Sequence, residues 1–248
     1  ERIQRLEKFQ TLGRIAGSVA HDLNNALGIV LGNLELAIMD TDDNSPTRKL
    51  QKSMMDSVNK AAAIVQDLLI MARKGAVVHK PLNLNTVVAD YLTSSGHGRL
   101  VEVYPRICIG TDLKPRLMKI NGSAGHLGRV VMNIVVNAME AVQDTGTIII
   151  RTETRCLDAP LPGYEQIAAG IYVVLSVSDT GKGISHENMK DIFEPFYTTK
   201  HKRQSGSGLG LPVVWGVVKD HNGYIDVISE QGKETTFELY FPAILGNL

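Results

Sequence analysis

Apolar residues near the start of the chain return at heptad-like intervals. Ile3, Leu6, Ala16, Val19, Leu23 and Val30 fall on this spacing, and no proline interrupts Arg2 to Met39. The pattern predicts one long amphipathic helix. Asp40 to Pro46 reads DTDDNSP, a cluster of turn formers, and Leu50, Met54, Val58, Ala61, Val65 and Leu68 then resume the helical period up to Lys74. Two helices around a short polar turn make an antiparallel hairpin. Apolar surface left over after the two pack on each other predicts pairing with a second hairpin into a four-helix bundle, and therefore a homodimer.

Gly75 to Pro81 is short and contains turn residues, and the pattern changes beyond it. Helices are predicted at Leu84 to about Ser94, Gly122 to Gln143 and Gly210 to His221. Strands are predicted near Glu102 to Ile109, Arg116 to Ile120, Thr147 to Glu153, Ile171 to Asp179, Gly223 to Ser229 and Thr235 to Phe241. The expected architecture is α+β in two domains: a helical hairpin over 1–74, a linker over 75–81, and an α/β sandwich with a mixed sheet over 82–248.

Composition narrows the function. Lys plus Arg equals Asp plus Glu, at 26 each, so the summed field argues against tight binding to nucleic acid. Cys108 and Cys156 lack metal-ligand spacing and form no disulfide framework, which suggests reduced thiols and a cytoplasmic setting. The longest apolar stretches, such as Ile167 to Leu175, fall far short of the ~20 residues that cross a bilayer, so no membrane contact is expected of this part. The chain opens at Glu1, already inside a helical pattern, as expected of a piece of a longer protein that can carry a membrane anchor.

Four motifs carry candidate chemistry. DTGKGI, Asp179 to Ile184, ends an apolar strand: a carboxylate there can accept from the exocyclic amine of adenine, and the flanking glycines let backbone approach a flat base. A tight turn with an N-cap aspartate is the plainer reading. SGSGLGL, Ser205 to Leu211, runs into a helix pattern with Pro212 near its first turn, where freed N–H groups and the helix dipole favour phosphate; the plainer reading is a flexible linker. It is no Walker loop, because no Lys-Ser or Lys-Thr pair follows its last glycine. In NIVVNAMEAV, Asn133 and Asn137 stand four apart on one helical face and can present oxygens to Mg²⁺ or phosphate, or else bond within the core. In AHDLNN, His21 can accept a phosphoryl group, Asp22 can orient or deprotonate it, and Asn25 follows one turn later; a surface histidine is the plainer alternative.

Taken in order, HDLNN, NIVVNAMEAV, DTGKGI, EPFYTTK and SGSGLGL resemble the transmitter core of sensor histidine kinases of two-component systems, over essentially the whole chain. The resemblance implies a dimerisation and histidine-phosphotransfer hairpin followed by a Bergerat-type ATP-binding domain, the fold of gyrase, mismatch-repair and heat-shock chaperone ATPases. It makes His21 the phosphorylated residue and Asp22 its general base. Asn137 matches the Mg²⁺-binding asparagine, with Asn133 on the phosphate side, and Asp179 matches the adenine-binding aspartate. Gly181 and Gly183 match the first glycine box, and Gly206, Gly208 and Gly210 the second. Phe193 and Phe196 match the segment that anchors a mobile lid, Lys200 is placed to reach phosphates, and Thr235 matches a threonine near the adenine pocket.

The activity implied is ATP- and Mg²⁺-dependent phosphorylation of His21 and transfer to an aspartate of a response-regulator receiver domain. Asp22 and Asn25 match positions that orient a hydrolytic water, implying a phospho-receiver phosphatase as well. A non-catalytic nucleotide-binding dimerisation module is the alternative, and a chaperone-like ATPase is disfavoured by the histidine hairpin. Two departures stand out: Glu140 occupies a position often held by lysine or arginine, and Glu234 replaces the glycine that usually precedes the matching threonine.

Overall fold

The computed structural model describes residues 22–42, 45–72, 78–199 and 207–245. These fall into two units. One holds the described residues up to 72 together with 207–209, and the other holds 78–199 and 210–245. His21, Lys200, Gly206 and residues 75–77 of the expected linker lie outside the described residues.

The first unit is a helical hairpin of α1 (22–39) and α2 (Pro46–Ala72). The last carbonyls of a helix have no partner within it and carry the negative end of its dipole. Arg48 fills that place from the opposite helix, its Nη1 donating to Ile38 O at 2.6 Å and Thr41 O at 2.5 Å. Gln51 Nε2 adds a bond to Ala37 O at 3.1 Å. The turn is thereby closed by side chains of α2. Leu23, Ile29, Val30, Leu36, Leu50, Met54 and Ile64 remain exposed.

The second unit sets helices against a five-stranded sheet. Its elements are β1 (Lys80–Leu82), α3 (Leu84–Leu92), α4 (Ser95–Val103), β2 (Ile107–Leu113), β3 (Ile120–Gly122), α5 (Ala124–Ala141), β4 (Gly146–Leu157), β5 (Gly170–Asp179), α6 (His186–Met189), α7 (Gly210–Asp220), β6 (Tyr224–Glu230) and β7 (Glu234–Pro242). The sheet order is β2-β4-β5-β7-β6, with β2 and β4 parallel and the other neighbours antiparallel, while β1 and β3 form a separate antiparallel pair. The mixed sheet is as expected. Leu127, Val130, Val131 and Ile134 of α5 and Val213, Val214 and Val217 of α7 are fully buried. Ile148, Ile150, Val173, Leu175, Val177, Phe237 and Leu239 are among the buried apolar residues of the strands.

Two expectations are corrected. The strand predicted to begin near Glu102 begins at Ile107, because Ser94 accepts from His97 N at 3.2 Å and caps a helix over Ser95–Val103. Gly96, Gly98 and the β-branched Val101 and Val103 hide that helix from propensity. The strand predicted over Arg116 to Ile120 is instead the short β3, Ile120–Gly122, whose partner β1 was not foreseen. β5 is apolar on both faces for a physical reason: Tyr172 and Val174 pack with Ile167 and Tyr240 in a small second core under the β4–β5 connection.

Candidate functional site

Asp179 ends β5 in the middle of the sheet, with Ile148 of β4 and Thr235 of β7 as its register partners. The carboxylate is buried, and its Oδ1 accepts from Gly181 N at 2.9 Å. Burial pushes its pKa up to about 6. The Gly181 N–H opposes that shift, and the nearby charge of Glu234 adds to it. The acid therefore sits near the middle of the physiological range, unlike a surface aspartate.

The next residues lie where side chains do not fit. A Cβ on Gly181 would stand 2.7 Å from the Ala141 carbonyl carbon, and Lys182 N donates to Ala141 O at 3.1 Å, so this loop rests on the C-terminal end of α5. Gly183 has φ of +64°, and a Cβ there would meet Glu230 O at 2.1 Å. Only glycine satisfies both conditions. Ile184 N then donates to Ser229 Oγ at 2.9 Å, and Ser229 Oγ lies 2.9 Å from Thr235 Oγ1 and donates to Glu234 O at 2.8 Å. Ser229 thus ties the glycine loop to the buried Thr235. No motif marks Ser229, because a serine near a strand end is ordinary in sequence.

Asn133 is buried on α5 and its Nδ2 donates to Gly210 O at 3.2 Å, so the first residue of α7 lies against the asparagine face. A Cβ on Gly210 would sit 3.7 Å from both Asn133 Cγ and Asn137 Nδ2, in ordinary van der Waals contact. Gly208 takes φ of +66°, and Leu209 N donates to Ser207 Oγ at 3.3 Å. Phe193 is fully buried, edge-on to Tyr164 at 5.2 Å, whereas Phe196 is 57% exposed and held at φ of +65°. That is an uncommon conformation for a bulky residue.

The structure therefore gathers Asp179, Gly181, Gly183 and Thr235 around one end of β5, and Asn133, Asn137 and Gly210 along the facing surfaces of α5 and α7. Ala141, the last residue of α5, joins the two sets. Asp22 and Asn25 belong to α1 in the other unit, both exposed and one turn apart. Among the described residues no group of three or more His, Cys, Asp or Glu is arranged to hold a metal.

The family model for the histidine kinase-, DNA gyrase B- and HSP90-like ATPases matches residues 122–244, and that for the His kinase A phospho-acceptor domain matches residues 11–77. The chain belongs to the sensor histidine kinases. It matches their transmitter core, the part that places this chain in two-component signal transduction and in the ATP-binding class.

Among relatives of this chain, Sensor kinase CckA of Brucella abortus (strain 2308) is 34% identical over 96% of this chain and 25% of its own length. Sporulation kinase C of Bacillus subtilis (strain 168) is 30% identical over 98% of this chain and 52% of its own. The crystal structure of full-length ShkA in complex with AMPPNP superposes with a TM-score of 0.69 at 21% identity, over 95% of this chain and 47% of that one, a likeness of fold. The chain thus spans between a quarter and about half of these proteins.

Proposed function

We propose that the C-terminal unit binds ATP with Mg²⁺ and that the γ-phosphoryl group passes to His21, then to an aspartate of a response-regulator receiver domain in the cytoplasm. The observation that carries this reading is the placement of Asp179 and Thr235 side by side at the strand ends, with a loop of glycines that cannot carry side chains resting on the asparagine helix. Such a cradle suits a flat base bound edge-on to a carboxylate.

ATP supplies the phosphoryl group, and the charge on it is neutralised chiefly by the cation and by positioned donors. Asp179 would accept from the exocyclic amine of adenine, with Thr235 beside it. Asn137 would offer its side-chain oxygen to Mg²⁺, a hard cation that takes few protein ligands and keeps water and phosphate oxygens. Asn133 commits its amide nitrogen to Gly210 O and so holds the start of α7 against the same face. Asp22, next to His21 in sequence, would take the imidazole proton. Lys200, Gly206 and Gly208 are assigned to the phosphate side by the motif alone.

The exposed apolar residues of the hairpin favour a homodimer through a four-helix bundle. A phospho-receiver phosphatase activity is also assigned, on the exposure of Asp22 and Asn25 on one face of α1.

Incubation with γ-labelled ATP and Mg²⁺ tests the main reading. Acid-labile, base-stable label on the wild-type chain and none on His21→Ala is the expected result. Binding of ATP without labelling of either protein would leave the non-catalytic alternative. Hydrolysis of a phospho-receiver at an unchanged rate by Asn25→Ala would remove the phosphatase assignment.

A further inference from the structure

Asp179, Thr235 and Ser229 stand in one row across the sheet. Asp179 of β5 is the register partner of Thr235 of β7, which is in turn the register partner of Ser229 of β6. Register partners point to the same face of a sheet. Asp179 and Thr235 are only 4% and 3% exposed. Asp179 Oδ1 accepts from Gly181 N, and among the described residues its Oδ2 accepts no hydrogen bond. A carboxylate oxygen left so in a buried setting calls for a donor from outside the fold.

The direction of the hydroxyl protons in this row follows from Ser229. A serine hydroxyl has one proton to donate and two lone pairs with which to accept. Its Oγ has three polar neighbours: Ile184 N at 2.9 Å, Glu234 O at 2.8 Å and Thr235 Oγ1 at 2.9 Å. The Ile184 N–H can only donate and the Glu234 carbonyl can only accept, so the serine proton goes to Glu234 O and one lone pair takes the Ile184 proton. The second lone pair is left for Thr235, whose own proton therefore points to Ser229. The opposite direction would set oxygen lone pairs against each other at 2.8 Å between Ser229 and Glu234. Thr235 has thus committed its only proton inside the protein, and toward a ligand it is an acceptor alone.

We propose that Ser229 is a positioning residue for base selection: by fixing the Thr235 proton it sets two acceptors on neighbouring strands, the Asp179 carboxylate and the Thr235 hydroxyl, which fit the two N–H groups of a 6-amino purine and repel the oxygen of a 6-oxo purine. The inference rests on the nucleotide reading above and adds how the pocket tells one purine from another. Without Ser229 the Thr235 hydroxyl is free to turn and donate to an oxo group, and the carboxylate discriminates alone. Ser229 acts here on a ligand that it does not itself touch.

Calorimetric titration with the Mg²⁺ complexes of ADP and IDP, whose bases carry an amine and an oxo group at C6, reads the selection as a ratio of affinities. At pH 8 Asp179 is ionised. The wild-type chain should prefer ADP, and Ser229→Ala should reduce that preference roughly three- to tenfold, the worth of one hydrogen bond. Loss of the tie to Ile184 weakens both nucleotides alike, so a serine with only a structural role leaves the ratio where it was. In a Thr235→Val background Ser229→Ala should not change the ratio, because no hydroxyl remains to be oriented. Should Ser229→Ala fail to fold, Ser229→Cys, close in volume and with a thiol that donates and accepts only weakly, carries the same expectation. An equal or larger preference for ADP in the Ser229 variant, or a further change in the Thr235→Val background, overturns the proposal alone. A wild-type chain that binds neither nucleotide removes the nucleotide reading, and this proposal with it.

Discussion

Asp179 and Thr235 stand opposite each other on adjacent antiparallel strands, both buried, with Ser229 and the glycine loop linking them from the far side. A carboxylate so placed is held by the sheet rather than by its own flexible loop, so a fixed environment sets its proton equilibrium.

The ionised Asp179 is the stronger acceptor for an exocyclic amine, and its pKa stands at about 6. Nucleotide affinity should therefore fall as pH drops through about 6, approaching tenfold per pH unit below it. Calorimetric titration of ADP with Mg²⁺ between pH 7.5 and 5 measures this, against Asp179→Asn, which should bind more weakly and lack this component of the slope. Parallel profiles for the two proteins would count against Asp179 as the acceptor.

Stability should carry two opposing acid contributions. His221 is buried and neutral. Its Nδ1–H donates to Val217 O at 2.7 Å, its Nε2 accepts from Ser123 N at 3.0 Å, and burial lowers its pKa to about 4. Because the folded state binds fewer protons there, that contribution is present above the unfolded value near 6.5 and is lost as pH falls to about 4. Asp179 runs the other way: its raised pKa means the folded state binds more protons, so stability is gained as pH falls from about 6 to below 4. Each is on the order of 3 kcal/mol, and they nearly cancel. Urea unfolding of the C-terminal unit between pH 7 and 4 should show His221→Gln gaining relative stability toward acid and Asp179→Asn losing it.

Gly183 and Gly210 should respond differently to alanine. At Gly183 the positive φ and the Glu230 carbonyl at 2.1 Å from a Cβ leave no accommodation, so Gly183→Ala should cost about 2 kcal/mol or more. At Gly210 a Cβ meets Asn133 and Asn137 at ordinary contact distance, so Gly210→Ala should unfold within about 0.5 kcal/mol of wild type. Its effect should appear in nucleotide affinity, read by the same titration.

Arg48→Ala removes the bonds that close the hairpin at Ile38 O and Thr41 O. The side chain is partly exposed, so the expected loss is about 1 kcal/mol, seen as a lower midpoint when the helical signal is melted. An unchanged midpoint would show that water replaces the guanidinium without cost.

Much of the site was legible because its chemistry depends on residue types that local rules make costly. Gly181 and Gly183 were visible in DTGKGI, and the close approaches at Ala141 and Glu230 are the reason those glycines are there. Ser229 was invisible, since its role arises from β6 and β7 meeting near the glycine loop. The helix over Ser95–Val103 has little sequence signature, because two glycines and two exposed valines weaken its local signal.

By itself the sequence determined the hairpin, the strand and helix types around the motifs, and the residue kinds that a nucleotide site requires, since periodicity, turn chemistry and glycine placement act within a few residues of chain. Tertiary structure decided which strands are neighbours, that Asp179 is buried against Thr235 and so titrates near 6, and that Asn133 holds Gly210. Those outcomes depend on burial and on contacts between distant segments, and both quantities come into existence only when the sheet and its helices pack.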